Sequence, residues 1–172
     1  MLLVNEAKAR NLPLSKRTER GEFIKFADNN FLEEEGLTPP KKAENARKLE
    51  VDILLKDFVC DVGGFLYAED VPVKRTSRFQ VGYIIPALSD IEAAALEAQF
   101  QVRHAPSDPQ KYQIPYNVET GSAIYTFTFN LDVNGIAVPS ISYGKPSPRE
   151  KELETQRSVR VKATLSALFH FL

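Results

Sequence analysis

Apolar residues recur along this chain with two different periods, and the change of period near residue 95 divides it. Before that point the spacing is mostly helical. Residues 1–11 are good helix formers throughout, with Leu3, Ala7 and the stem of Arg10 on one side. No capping residue precedes them, so this reads as the second half of a longer helix, ended by Leu12-Pro13-Leu14. Glu33-Glu34-Glu35-Gly36 reads as a helix end closed by glycine, although three glutamates sit badly against the negative end of a helix dipole. Pro39-Pro40 and Lys41-Lys42 form a linker, and residues 43–58 form an amphipathic helix. Ala46, Leu49, Ile53 and Leu54 share its apolar face, and Phe58 closes it. The pair Gly63-Gly64 then marks a turn and a close-packing site ahead of the apolar run Phe65-Leu66-Tyr67, and a strand-like stretch follows from Phe79 to Ile85.

From Leu96 the period becomes two. Leu96, Ala98, Phe100 and Val102 alternate with Glu97, Gln99, Gln101 and Arg103, which predicts a strand with one buried face. Residues 112–118 form a shorter strand, placed at an edge by Pro115. Residues 123–132 alternate again, with Tyr125, Phe127, Phe129 and Leu131 expected inward, and Asn134-Gly135 supplies a tight turn. Ser147-Pro148-Arg149-Glu150 is a capping box with proline at the first helical position. The helix it opens has an acidic first turn and a basic middle (Arg157, Arg160, Lys162), with Leu153, Val161, Leu165, Leu168 and Leu172 as its core stripe.

Composition narrows the classes without choosing among them. A chain of 172 residues, 43% hydrophobic and 26% charged, can bury one core; its net charge of -1 is uninformative as a total, but a pI near 6.2 argues against a generic nucleic-acid coat. A local basic groove is still open to it. The single cysteine, Cys60, excludes a disulfide framework and suggests a reducing cytoplasm. No apolar run approaches the ~18 residues of a membrane span, so no membrane is expected as a partner.

The candidate chemistry is cationic. Lys74-Arg75-Thr76-Ser77-Arg78 places three cations and two hydroxyls at the mouth of a strand, which suits a phosphate-rich partner; a solvated loop explains the same residues. A second cluster, Lys16, Arg17 and Arg20, reads as a charged turn or as further phosphate contacts, and Arg103 and His104 stand at a strand end. Tyr67 or Phe79 could stack on a base, although aromatics beside an apolar run usually belong to a core. Asp57, Asp61 and Asp70 read as surface charge. General acid–base work has only His104 and His170 to draw on, and no cluster has metal-ligand spacing, so neither a metal nor another cofactor is expected.

The segments GGFLYA, PVKRTSRFQVGYIIPAL and LEAQFQVRHAPS resemble the backbone subunit of the archaeal type I-A CRISPR Cascade, the DevR-like Cas-seven family. NLPLS and GEFIKFA extend the match. The resemblance implies an α+β, modified ferredoxin-like fold of the RNA-recognition type with a helical insertion, seen here without its first and last strands. On this view residues 1–172 are a single partial domain, 12–95 the insertion and 96–172 the strand–strand–helix part of the core. The implied role is non-enzymatic: gripping CRISPR RNA along its sugar-phosphate backbone and stacking head to tail with copies of the same chain. Other Cascade subunits, and target DNA reached through the guide RNA, are the further partners it implies. Lys74, Arg75, Ser77 and Arg78 would be the leading RNA contacts. The competing reading is an endoribonuclease on a related ferredoxin-like scaffold, processing guide RNA with His104 beside Arg103.

Overall fold

The computed structural model describes the backbone of residues 2–87, 97–103, 114–120 and 124–170, and the side chains of 2–87 and 124–170. The fold is mixed α+β. In chain order it runs α1 (Leu2–Ala9), α2 (Lys16–Glu19), β1 (Phe26–Ala27), α3 (Asn29–Glu34), α4 (Ala46–Lys56), α5 (Phe58–Gly63), β2 (Phe65–Tyr67), β3 (Val73–Arg75), β4 (Phe79–Val81), β5 (Ile85–Pro86), β6 (Glu97–Arg103), β7 (Ile114–Thr120), β8 (Tyr125–Thr126), β9 (Phe129–Leu131), α6 (Glu150–Thr155) and α7 (Arg157–Phe169). The chain forms two compact units, one of Met1–Gln80 with Asn130–Leu172 and the other of Val81–Phe129.

In the larger unit β1 pairs parallel with β2, and β2 antiparallel with β3. The registers Ala27↔Tyr67 and Tyr67↔Val73 put three buried residues on one face of this sheet. That face meets α4, whose Ala46, Leu49, Ile53 and Leu54 are all buried as the helical spacing requires, together with Phe31, Leu32, Ile136 and Leu153. Tyr67 is therefore a core residue, and its hydroxyl donates to Asn29 Oδ1 at 2.8 Å. A second cluster of Ala7, Leu12, Phe58, Val62 and Ala163, with Leu3 and Phe79 against it, joins α1, α5 and α7.

Local signals fixed several boundaries. Helix α3 ends in a Schellman arrangement: Leu37 N–H donates to Leu32 O at 2.7 Å, Gly36 N–H donates to Glu33 O at 3.0 Å, and Gly36 takes φ 67°. At Ser147 the backbone N–H donates to the Glu150 carboxylate at 2.8 Å, the back-reach of a capping box, but α6 itself starts at Glu150 after Arg149, so Pro148 precedes the helix and is not its first residue.

Other expectations needed correction. The single helix over 43–58 is broken at Asp57, whose carboxylate accepts from the backbone of Val59 and Cys60 and so starts α5 afresh. The C-terminal helix breaks at Gln156, and its buried residues are Arg160, Ala163, Thr164 and Ala167, whereas Leu165 is exposed. Within the buried side of α7, Ala163 packs with Ala7 of α1, whereas Arg160 reaches Asp61 of α5 and the Leu54 carbonyl of α4.

In the smaller unit β6 and β7 pair antiparallel from Glu97↔Thr120 to Arg103↔Ile114, with Pro115 opposite Val102. The strand expected over 123–132 is two short strands, β8 and β9. Tyr125, Phe127 and Phe129, expected inward, are exposed. His104 and the loop after it lie outside the described residues.

Candidate nucleic-acid interface

Strand β3 and the turn after it hold the sequence's main basic cluster, and the pleat separates its cations. Successive residues of a strand point to opposite faces. Lys74 points outward and is exposed, while Arg75 points into the core with its side chain fully buried.

Burying a guanidinium is tolerable only when its charge and every donor are met. Arg75 Nη1 donates to Glu50 Oε1 (3.0 Å), Val138 O (2.9 Å) and Ser140 Oγ (3.2 Å). Nη2 donates to Asp61 Oδ1 and to Gly135 O, and Nε donates to Asp61 O at 2.9 Å. Asp61 also takes Arg160 Nη1 at 2.8 Å and the backbone N–H of Ala137 at 3.0 Å. Glu50 takes the backbone N–H groups of Ser140 and Ile141. Arg160 completes the network through Leu54 O and Gln156, and stands 6.0 Å from the centre of the Phe58 ring. Two guanidiniums and two carboxylates, all without exposed side-chain surface in their ion pairs, thus tie α4, α5, β3 and α7 to the loop after β9. Desolvation pulls the Arg160 pKa below the usual guanidinium range, and Asp61 opposes that pull.

The turn is pressed against the glycine pair. Gly64 has φ 75°, and a Cβ there would fall 2.5 Å from Arg75 O and 2.6 Å from Ser77 N, so only glycine lets the segments approach this closely. Ser77 Oγ donates to Phe79 O at 2.6 Å, a bond within the turn. Arg78 bridges Asp132 Oδ2 (3.0 Å) and Ser140 Oγ (2.7 Å). Partial burial, then the nearby Arg75 charge, lowers its pKa.

The second basic cluster is matched by acids. Arg17 Nε lies 3.3 Å and Arg20 Nη2 3.5 Å from Glu34, Arg17 also pairs with Asp28, and Arg20 with Glu22. Lys16 Nζ donates to Glu34 O at 2.6 Å. This accounts for two of the three glutamates at the end of α3: Glu34 faces the guanidiniums of Arg17 and Arg20, which offset the helix dipole, and Glu35 accepts from the Lys16 backbone N–H at 2.8 Å. Behind them the buried Asp57 accepts from the hydroxyls of Ser15 and Thr18. Burial, and then Asp57 and Asp61 nearby, push the Cys60 thiol well above its ordinary pKa, which makes it a poor nucleophile.

The nine residues singled out in the sequence therefore separate. Lys74 is exposed and makes no ion pair among the described residues. Arg78 and Ser77 are half-buried beside it. Arg75 is corrected from surface contact to buried structural cation, because two carboxylates and three carbonyls already fill its donors. Lys16, Arg17 and Arg20 form a separate cluster, in which Arg17 and Arg20 are paired with acids and Lys16 donates to a backbone carbonyl. The Arg103 side chain and all of His104 lie outside the described residues. His170 Nδ1 lies 3.1 Å from Glu6 Oε1, linking the end of α7 to α1. Asp57 and Asp61, expected at the surface, are buried, whereas Asp70 is exposed as expected.

A model of the family described as CRISPR-associated negative auto-regulator DevR/Csa2 matches residues 1–172. The chain belongs to the DevR/Csa2 family. It is similar to the CRISPR-associated aCascade subunit Cas7/Csa2 2 of Saccharolobus solfataricus, at 47% identity over 99% of this chain and 53% of that protein. A second protein of that organism, CRISPR-associated protein Cas7/Csa2 1, is 32% identical over 98% of this chain and 51% of its own length. CRISPR-associated protein Cas7/Cst2/DevR of Methanocaldococcus jannaschii is 28% identical over 76% of this chain and 45% of its length. The chain thus spans about half the length of the curated relatives it matches. Membership of this DevR/Csa2 family places it among CRISPR-associated proteins with a role in defence. No described helix is long and apolar enough to cross a membrane.

Proposed function

We propose that the chain is part of a backbone subunit of a type I-A Cascade surveillance complex, holding CRISPR RNA by its sugar-phosphate backbone. In this reading copies stack head to tail along one RNA, contact other Cascade subunits, and present the guide to target DNA without cutting either strand. The β3 region then belongs to a modified ferredoxin-like, RNA-recognition-type fold. The name of the 47%-identical relative, an aCascade subunit, supports this reading. The observation that carries it is the asymmetry of β3: Arg75 is clamped by two carboxylates while Lys74 keeps an unneutralised charge in solvent. A rigid strand presenting a lysine suits grip on phosphates without regard to base sequence.

The test is binding of two unrelated single-stranded RNAs across a range of salt. Lys74→Ala should weaken both equally and flatten the log–log salt slope by roughly 0.7, the loss of one phosphate contact on a single strand. Arg17→Ala should have less effect, since Glu34 and Asp28 already pair with its guanidinium. Unchanged slope and affinity in a folded Lys74→Ala protein would remove the turn from the RNA interface. RNA incubated with the protein should stay intact with or without magnesium. Cleavage that disappears in His104→Ala would establish the endoribonuclease instead.

A further inference from the structure

The outward face of the three-stranded sheet has a composition that the basic turn does not explain. Register sets Phe26 opposite Leu66, and Leu66 opposite Lys74, so the three form one row across β1, β2 and β3. The rows on either side of it point inward: Ala27, Tyr67 and Val73 in one, Phe65 and Arg75 in the other, are all buried. In the outward row Phe26 is 61% exposed and Lys74 is in solvent, with Leu66 half-buried between them. Lys25 Nζ stands 5.8 Å from the centre of the Phe26 ring. Phe23 is 62% exposed, and its ring lies over Gly63, where a Cβ would fall 2.9 Å from Cε2. Gly63 adjoins the glycine that abuts the backbone of the Lys74–Arg78 turn.

Two exposed phenyl rings, one of them with a lysine over it, are costly to leave in water and common where nucleobases stack. We propose that the row Phe26–Leu66–Lys74, flanked by Lys25 and Phe23, is a stacking platform for unpaired bases of a single-stranded RNA, with Lys25 and Lys74 meeting the adjoining phosphates. The occupant is chosen by complementarity: flat apolar rings meet bases, and the two lysines meet an anionic backbone. An apolar protein surface would match the rings and leave both ammonium groups facing apolar atoms. The platform rests on the RNA-binding reading and adds base contacts to a grip so far assigned to phosphates alone. Stacking tolerates any base, so it adds affinity without sequence preference.

The experiment compares an oligouridine with an abasic strand of equal length, each titrated against the protein and its Phe26→Ala, Phe23→Ala and Phe26→Leu variants, with a thermal melt of each. Phe26→Ala should weaken oligouridine binding roughly five- to a hundredfold, the range for one stacked base, and leave the abasic strand and the salt slope unchanged. Phe26→Leu keeps an apolar side chain without a flat ring, and should lose most of the same affinity. If the protein binds oligouridine and the folded Phe26 and Phe23 variants bind it equally well, the platform is overturned and the phosphate grip stands. If the variants instead change only the oligomeric state, the face joins proteins and the platform is again overturned. A protein that binds neither strand overturns both readings.

Discussion

Lys74 and Arg75 are neighbours on one short strand with opposite fates: the ammonium of Lys74 stands in solvent, and the guanidinium of Arg75 is enclosed between Glu50 and Asp61. The pleat of β3 enforces the division, because Arg75 shares the inward face with Phe65 while Lys74 shares the outward one with Leu66. Charge is thereby sorted into one residue that holds the sheet against α4, α5 and α7 and one that is free to meet a partner.

Replacing Arg75 should chiefly cost stability. Arg75→Ala leaves Glu50 without a cation and Asp61 with Arg160 alone, a loss of roughly 3–5 kcal/mol for a buried pair broken on one side. Arg75→Lys should rescue little, since a point charge cannot reproduce a fork that spans Asp61, Glu50 and three carbonyls. Urea unfolding of both variants measures this. A variant as stable as the parent would mean that the buried network adds nothing to the fold.

Asp61→Asn should cost more than Glu50→Gln. Asp61 serves both guanidiniums and the Ala137 N–H, whereas Glu50 serves one guanidinium and two backbone donors. Removing the Asp61 charge leaves Arg160 buried without an anion, again roughly 3–5 kcal/mol. Equal midpoints for the two variants would show that Arg160 is satisfied by Leu54 and Gln156 alone.

Gly64→Ala should disturb the turn itself. The residue takes φ 75°, and the new methyl would strike the backbone of Arg75 and Ser77, which no side-chain rotation relieves. A loss of about 2 kcal/mol or more is expected from clash and strain together. RNA affinity should fall even in the folded fraction as Lys74 and Ser77 shift. Parent-like affinity and melting temperature would place the turn's geometry elsewhere.

Acid should unmask the Glu150 contacts. The Arg47 side-chain bond, assisted by the Ser147 N–H, holds the Glu150 carboxyl below its usual pKa. A lowered folded pKa means stability that is complete above the unfolded value and is lost as pH falls through the folded one. Glu150→Gln should therefore cost about 1 kcal/mol near neutrality, and the gap from the parent should close below the ordinary glutamate range. A gap independent of pH would assign the effect to packing.

Elements written in adjacent residues were legible in the sequence. The Gly36 helix end, the tight approach at Gly63-Gly64, the Ser147–Glu150 cap and the apolar face of α4 follow from backbone and spacing rules that reach only a few residues. So does the short strand that contains Pro115, though not its pairing, and the family itself was recognisable from contiguous segments. The fate of the charges was not legible. Sequence spacing put Arg160 in a basic middle of the last helix with no partner indicated, but in the fold it is buried against Asp61, Leu54 and Phe58. Signals did exist: Glu50 sits within the Ala46–Leu54 apolar face, Asp57 precedes an apolar run as a helix cap would, and the glutamates of residues 33–35 mirror the cations of 16–20. Each is ambiguous alone, because a charge is as often solvated as paired. What the sequence determined was where the backbone turns and which residues seek an interior. Only the tertiary structure decided which charges go inside, since a buried ion is stable only when its counter-ion arrives from elsewhere, as Asp61 does for Arg160 across 99 residues of chain.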